Sequence, residues 1–318
     1  MCAARRILNT LQASEYLTFY HLMKYPVPKQ EELFMDGSFS KPKSASLRSA
    51  PLLNAWTKPK NTTDKPIKQQ KQGEERSSYD HLFSRDQENA LLGSYLSEVE
   101  AHEKLYQSLP FVEEIYLCNS LTFNALHKTS DIDVFIITRP KRIWTAKFFA
   151  MVMTFFAGVK RLWSKKAKKI CLSFFVTSAD QNLYHLSVKG VDIYLCYRIA
   201  HLVLLYQADP HKTPQIRQKN KRIQGILPNL PLQQNIFLGN QVFSGQTSFK
   251  KTIEWLGSGI LGDGIELVLK ILQLAIISLK RLRNPHKNRG VIVNNQMLKF
   301  HQDIREKVSL KYAVMKKK

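Results

Sequence analysis

The run Asp131-Ile-Asp-Val-Phe-Ile-Ile-Thr138 constrains this chain more than any other stretch, because it is the most strand-like segment in the sequence and opens on two acids. Side chains two apart on a strand project from one face, so Asp131 and Asp133 point the same way while Ile132 points into the core. The flanking segments extend the pattern. EEIYLC (113–118) predicts a short strand before it, ICLSFFVT (170–177) a buried strand after it, and residues 142–162 an apolar helix between. Residues 80–108 predict one long helix, with Leu91, Leu92, Leu96, Val99 and Leu105 at helical spacing and Pro110 as its stop. Residues 5–34 look helical up to Pro26 and Pro28 and again after them, and the chain beyond about residue 192 reads as mostly helical. There is no internal repeat.

From Asp36 to Ser78 the composition shifts to Pro, Ser, Lys, Asn and Gln with few large apolar residues, which predicts a flexible, mildly basic linker. With 318 residues and 44% hydrophobic content, the rest can build one or two domains with a sizeable core. Aromatic residues at 10% exclude a chain disordered throughout. Four dispersed cysteines exclude a disulfide scaffold and read as thiols in a reducing compartment. The start, MCAARRILNTLQ, lacks an apolar core of secretory type, so the expected localisation is cytoplasmic. Phe148–Val159 is too short to span a bilayer, a twelve-residue helix covering roughly 18 Å of a core of about 30 Å. Ile265–Leu279 is interrupted by Glu266 and Lys270. Both are expected to be core helices, with no stable membrane insertion. The expected class is α+β, divided into a short helical segment (1–35), the linker (36–79), a small mixed-sheet domain (80–200) and a helical domain (201–318).

Two carboxylates a few ångströms apart repel each other unless a cation sits between them, and ligation by oxygen suits Mg²⁺ or Mn²⁺. Asn119-Ser120 follows the first strand candidate, about ten residues before the acids. A helix beginning at 120 would offer its N–H groups and the Ser120 hydroxyl to an anion facing the carboxylates. Phosphates held between that turn and the metal would be set up for in-line phosphoryl or nucleotidyl transfer. An Asp-x-Asp alone is common on strand edges and in turns; its place at the head of an apolar strand, one helix-length after a serine, makes it a site candidate.

The segment resembles the signature of the DNA polymerase beta superfamily of nucleotidyltransferases: Gly-Ser, about ten residues, then Asp-x-Asp in a hydrophobic strand. More narrowly, the chain is similar to bacterial nucleotidyltransferase-domain proteins. It shows in order Pro110-Phe111-Val112, Ser130-Asp131-Ile132-Asp133, Trp144, Cys171-Leu172-Ser173, Leu227-Pro228-Asn229 and Lys299-Phe300-His301. The resemblance implies a nucleotidyltransferase domain over 80–200, Asp131 and Asp133 as catalytic metal ligands, Mg²⁺ or Mn²⁺ as cofactor and a nucleoside triphosphate as substrate. Ser120 matches the signature serine. Asn119 stands where the signature has glycine, and Asn tolerates left-handed backbone better than most residues. A third carboxylate on a later strand, general in active members, has no match in ICLSFFVT; Asp180 and Asp192 beyond it read more naturally as turn or cap residues.

A formal net charge of +23 points to a phosphate-bearing partner such as RNA or another polyanion. Between Val134 and Lys251 there are nineteen Lys/Arg and three Asp/Glu. Arg139 and Arg142, just past the acidic strand, are the expected phosphate contacts. Gly257-Ser-Gly-Ile-Leu-Gly262 spells a dinucleotide fingerprint, but a helix-like TIEWL precedes it where a strand is needed, so a helix-breaking loop is expected. The alternatives to the enzyme are a catalytically silent module that binds nucleic acid or a partner protein, a toxin–antitoxin component that modifies its partner by nucleotide transfer, and membrane association through the basic, apolar 142–169 region.

Overall fold

A computed structural model describes residues 85–122, 125–159, 167–187, 192–221, 242–283 and 290–300. The expected N-terminal helices and linker lie outside the described residues. In chain order the main elements are α1 (Arg85–Glu100), α2 (Glu103–Ser108), β1 (Val112–Cys118), β2 (Ile132–Thr138), α3 (Ile143–Phe156), β3 (Ile170–Thr177), α4 (Ile193–Ala200), β4 (Val203–Gln207), α5 (Ile216–Lys219), β5 (Phe243–Ser244), α6 (Ser248–Leu256), α7 (Gly259–Arg283), β6 (Ile292–Val293) and β7 (Met297–Lys299). Among the described residues seven strands form one mixed sheet in the order β5-β4-β1-β2-β3-β7-β6. The α+β class expected from the sequence is therefore present.

β1 and β2 pair antiparallel, and β2 and β3 pair parallel across the α3 crossover. Both faces of the central strands are covered. On one face Tyr116, Phe135, Ile137, Phe174 and Val176 pack with α4. On the other, Ile132, Val134, Ile136 and Phe175 pack with α1 and α3. A strand buried on both sides must be apolar along its length, and β2 obeys this from Val134 to Ile137. Its partly open residue is Asp133, near its N-terminal end.

Three expectations need correction. The helix over 80–108 is broken: Ala101 and His102 leave the helical path, which carries Tyr106 of α2 into a stacked contact with Phe243 at 6.2 Å. The boundary at 200/201 would cut through the sheet, since β4 pairs with β1 and β7 with β3. Short apolar runs such as VLLYQ do not announce whether they are helix or strand, and neighbours decide. Ile265–Leu279 does form a helix, within α7, but most of its large apolar side chains are exposed rather than buried in the core. Among the described residues no helix is long and apolar enough to cross a membrane.

The polar residues of α7 explain how it is held. Both oxygens of Glu266 accept from the first turn of α3, Oε1 from the Trp144 N–H at 2.9 Å and Oε2 from the Thr145 N–H at 2.8 Å and hydroxyl at 2.6 Å. A carboxylate on these orphan N–H groups contributes about 1 kcal/mol. Gln273 accepts from Lys147 and donates to the Trp144 carbonyl. Arg142 donates to the Gly257 carbonyl at 3.0 Å and to Asp263 at 2.6 Å. The glycine-rich run is thus the turn between α6 and α7 at residues 257–258 and, from Gly259, the first turn of α7. A Cβ on Gly257 would meet the Phe111 ring at 2.7 Å, and one on Gly262 would meet the Gly257 carbonyl oxygen at 1.8 Å. Close approach of helix ends requires these glycines, and no βαβ unit surrounds them.

α6 is tied to the sheet by a buried lysine. Lys250 donates to the Val112 carbonyl and the Tyr206 hydroxyl, with Glu254 at 3.8 Å. Burial pulls its ammonium down to about 8, against the opposing pull of Glu254. The unfolded chain therefore holds the proton more tightly than the folded one between pH 8 and 10.5, so this group's contribution to stability rises with pH across that window. Relative to Lys250→Met, the wild type should gain roughly 3 kcal/mol from pH 8 to 10.5, measured by urea unfolding at each pH. A pH-independent difference would show that the buried amine carries no such shift.

Candidate functional site

The open notch at the head of β2 is built by three strands. Cys118 of β1, Asp133 of β2 and Cys171 of β3 are register partners in one row across the sheet. Asp131 precedes β2 on the same side, two residues before Asp133, and Ile132 between them is fully buried. Ligand atoms of Asp131, Asp133 and Cys171 lie within 4.8 Å of one another. The two acids are half-buried, at the surface of the notch.

The turn after β1 meets them. Asn119 has φ +61°, in the left-handed region that Asn tolerates better than most residues. Its Nδ2 donates to Asp133 Oδ2 at 3.0 Å, tying the turn to the acidic strand. Residues Asn119–Leu121 form a single 3-10 turn, and Ala125–Ser130 is not helical. The expected helix beginning at Ser120, with its N-terminal anion cradle, is therefore corrected to one short turn. Ser120 follows Asn119 in that turn and brings no helix terminus with it.

Two residues unforeseen in the sequence complete the surroundings. Tyr95 of α1 donates to the His127 and Ser130 carbonyls at 3.0 and 2.8 Å, which fixes the chain just before Asp131. Burial raises its phenol, and the Asp131 charge raises it further. Arg198 of α4 lies under the row, its Nη2 4.0 Å from Cys118 Sγ and its guanidinium 5.2 Å from the centre of the Phe174 ring. Burial alone would lower Arg198, yet Cys118, Tyr194 and Asp133 raise it, so it remains a cation facing the acidic notch. A lone arginine in the apolar run IYLCYRIA was the available signal. Burial pushes the Cys118 thiol up to about 12 against the pull of Arg198, with Asp133 adding to the rise. Burial, followed by Asp133, raises the Cys171 thiol. Both flanking sulfurs are thus neutral at ordinary pH.

This donor set fits a hard divalent cation in part. Two carboxylates share one face, and Asn119 Oδ1 beside them is buried with no hydrogen-bond partner. Oxygen donors of this kind suit Mg²⁺ or Mn²⁺. The neutral Cys171 thiol, level with Asp133 on β3, is the soft member of the set. Among the described residues no further Asp or Glu joins the cluster. Asp192 caps α4, its Oδ1 accepting from the Leu195 N–H at 2.9 Å, and Asp180 sits in the turn beyond the far end of β3. The sequence reading of both as cap and turn residues agrees with this placement.

Arg139 and Arg142 are not brought to the acids. They follow the C-terminal end of β2, six residues or more past Asp133, roughly 20 Å along a strand. Arg139 pairs with Glu254 at 2.7 Å and Arg142 with Asp263 at 2.6 Å. Adjacency in sequence misled because a strand carries its two ends to opposite edges of the sheet. A cavity of about 580 Å³ lies elsewhere, between β4 and the 210–217 loop, with Arg217 and Lys212 in its wall.

No known protein family, curated protein or solved structure matches this chain. Asn119 offers a separable check of the notch. Asn119→Ala and Asn119→Gly both remove the bond to Asp133, but only Gly also removes the Cβ that left-handed backbone disfavours, so Ala should be less stable than Gly by about 1 kcal/mol in urea unfolding. Equal stabilities would mean that the turn does not hold this conformation.

Proposed function

We propose that the chain is a metal-dependent nucleotidyltransferase of the DNA polymerase beta type, moving a nucleoside monophosphate from a nucleoside triphosphate to a hydroxyl acceptor. The observation that carries this reading is the carboxylate pair on β2, side by side at the open end of an otherwise apolar strand and tied to the Asn119-Ser120 turn. Asp131 and Asp133 would hold Mg²⁺ or Mn²⁺, with Asn119 Oδ1 in reach as a further oxygen donor. The cation would neutralise charge on the triphosphate as the acceptor oxygen bonds to the α-phosphorus and pyrophosphate leaves. Ser120 offers a hydroxyl donor to the phosphates, and Arg198 adds a fixed positive charge behind Asp133. The net charge of +23 favours RNA or another polyanion as partner, and free thiols at Cys118, Cys171 and Cys196 fit the cytoplasm.

One observation favours a second reading, a catalytically silent module that binds nucleotide, nucleic acid or a partner protein. Cys171 occupies the β3 position beside Asp133, so the acid that would activate the acceptor hydroxyl is absent from the described cluster. Fluorescent-nucleotide titration with Mn²⁺, followed by incubation with α-labelled triphosphate and candidate acceptors, separates the two. The enzyme should bind nucleotide only with metal and transfer label, and Asp131→Asn/Asp133→Asn should reduce binding tenfold or more, about 1.4 kcal/mol. Metal-dependent binding without transfer would favour the silent module. Equal binding by wild type and variant would remove the site.

A further inference from the structure

All fifteen exposed large hydrophobic side chains among the described residues sit on α3, α6 and α7. They are concentrated on α7, which turns Glu266 and Gln273 inward beside Leu269, Leu274 and Ile277 and its other large apolar side chains outward. At 100° per residue, Leu261, Ile265, Val268, Leu272, Ile276 and Leu279 fall on one side, within about half of the helix circumference. Leu261 is 77% exposed and Leu279 59% exposed. Between Ile260 and Leu279 that outward arc carries no charge, while Glu266 and Gln273 turn inward to hydrogen-bond α3. An ordinary surface helix does the reverse.

The ends of this face are distinctive. Arg142 meets Asp263, Trp144 meets Glu266 and Lys147 meets Gln273, so α3 and α7 run parallel and finish together. Exposed Phe155 and Phe156 end α3, and Lys280, Arg281 and Arg283 end α7. Residues 160–169, next in the chain after α3, add six Lys/Arg and Trp163 with no acid. An apolar helical face bordered by aromatic and cationic residues matches the chemistry of an anionic lipid surface. Two copies of a chain charged +23 would repel each other as they approached, whereas phosphatidylserine headgroups would attract each one.

We infer that α7 lies flat on an anionic membrane, its apolar arc and the exposed aromatics that end α3 in the headgroup–acyl boundary and the cationic end of α7 on the headgroups. The helix rests on the surface and does not span it, consistent with the absence of a described helix fit to cross. The inference is independent of the nucleotide reading, because the carboxylate notch lies on the opposite face of the sheet, toward α4.

Flotation of the full chain with vesicles of phosphatidylcholine, with or without phosphatidylserine, provides the test. Wild type should float with the phosphatidylserine vesicles and remain mostly unbound with phosphatidylcholine alone. Val268→Asp/Leu272→Asp should lower partitioning about tenfold or more by removing apolar contact, and Lys280→Glu/Arg283→Glu should lower it by weakening the charge attraction. Both pairs are exposed, so circular dichroism and melting should match wild type; Asp133→Asn should float normally. Failure of wild type to float, or flotation unchanged by Val268→Asp/Leu272→Asp, would overturn the inference. So would a lipid-free dimer in sedimentation that the apolar-face variant dissociates while wild type never floats, which would assign the face to a second copy.

Discussion

The structure depends on β2 being buried from both sides. A strand with α4 against one face and α1 and α3 against the other can accept polar side chains only where the layers end, and in β2 that place is Asp133. The neighbours inherit the constraint. Cys118 and Cys171 stand level with Asp133 as neutral thiols, and Arg198 supplies charge from the covering helix. Removing the acids would leave a notch with no cation-binding chemistry, and moving them one residue would turn them into the core.

A second constraint acts on the other face. The first turn of α3 leaves orphan N–H groups, and α7 supplies Glu266 to accept them. Committing its polar residues inward leaves α7 with an apolar exterior. The same choice that fixes the crossover helix therefore creates the most hydrophobic described surface of the molecule. Hydrogen bonding outranks apolar burial here because an unsatisfied helix terminus under a neighbouring helix is costly.

Much of the fold was legible along the chain. ICLSFFVT becomes β3 from its first residue to its last, DIDVFIIT becomes β2 less its opening Asp, and the apolar segment between them becomes α3. These are long, continuous patterns whose burial is already implied by composition. That Asn119 could take the place of the signature glycine was legible because Asn accepts left-handed backbone, and its φ of +61° uses that tolerance. The break at Ala101, the 3-10 turn at Asn119 and the strands β5 to β7 were not, since each is too short to carry a period of its own. The distance of Arg139 and Arg142 from the acids was not legible for a different reason: chain proximity ignores the length of β2.

Local pattern alone determined the strand–helix–strand unit and the shared face of Asp131 and Asp133, because alternation along a strand needs no partner to be specified. Only the tertiary structure decided which residues surround that pair, joining Cys118, Cys171 and Arg198 from three other elements while sending the nearby arginines to Glu254 and Asp263. It also decided that α7 faces outward, because burial is set by what packs against a helix, and hydropathy along one helix does not contain the demands of its neighbour.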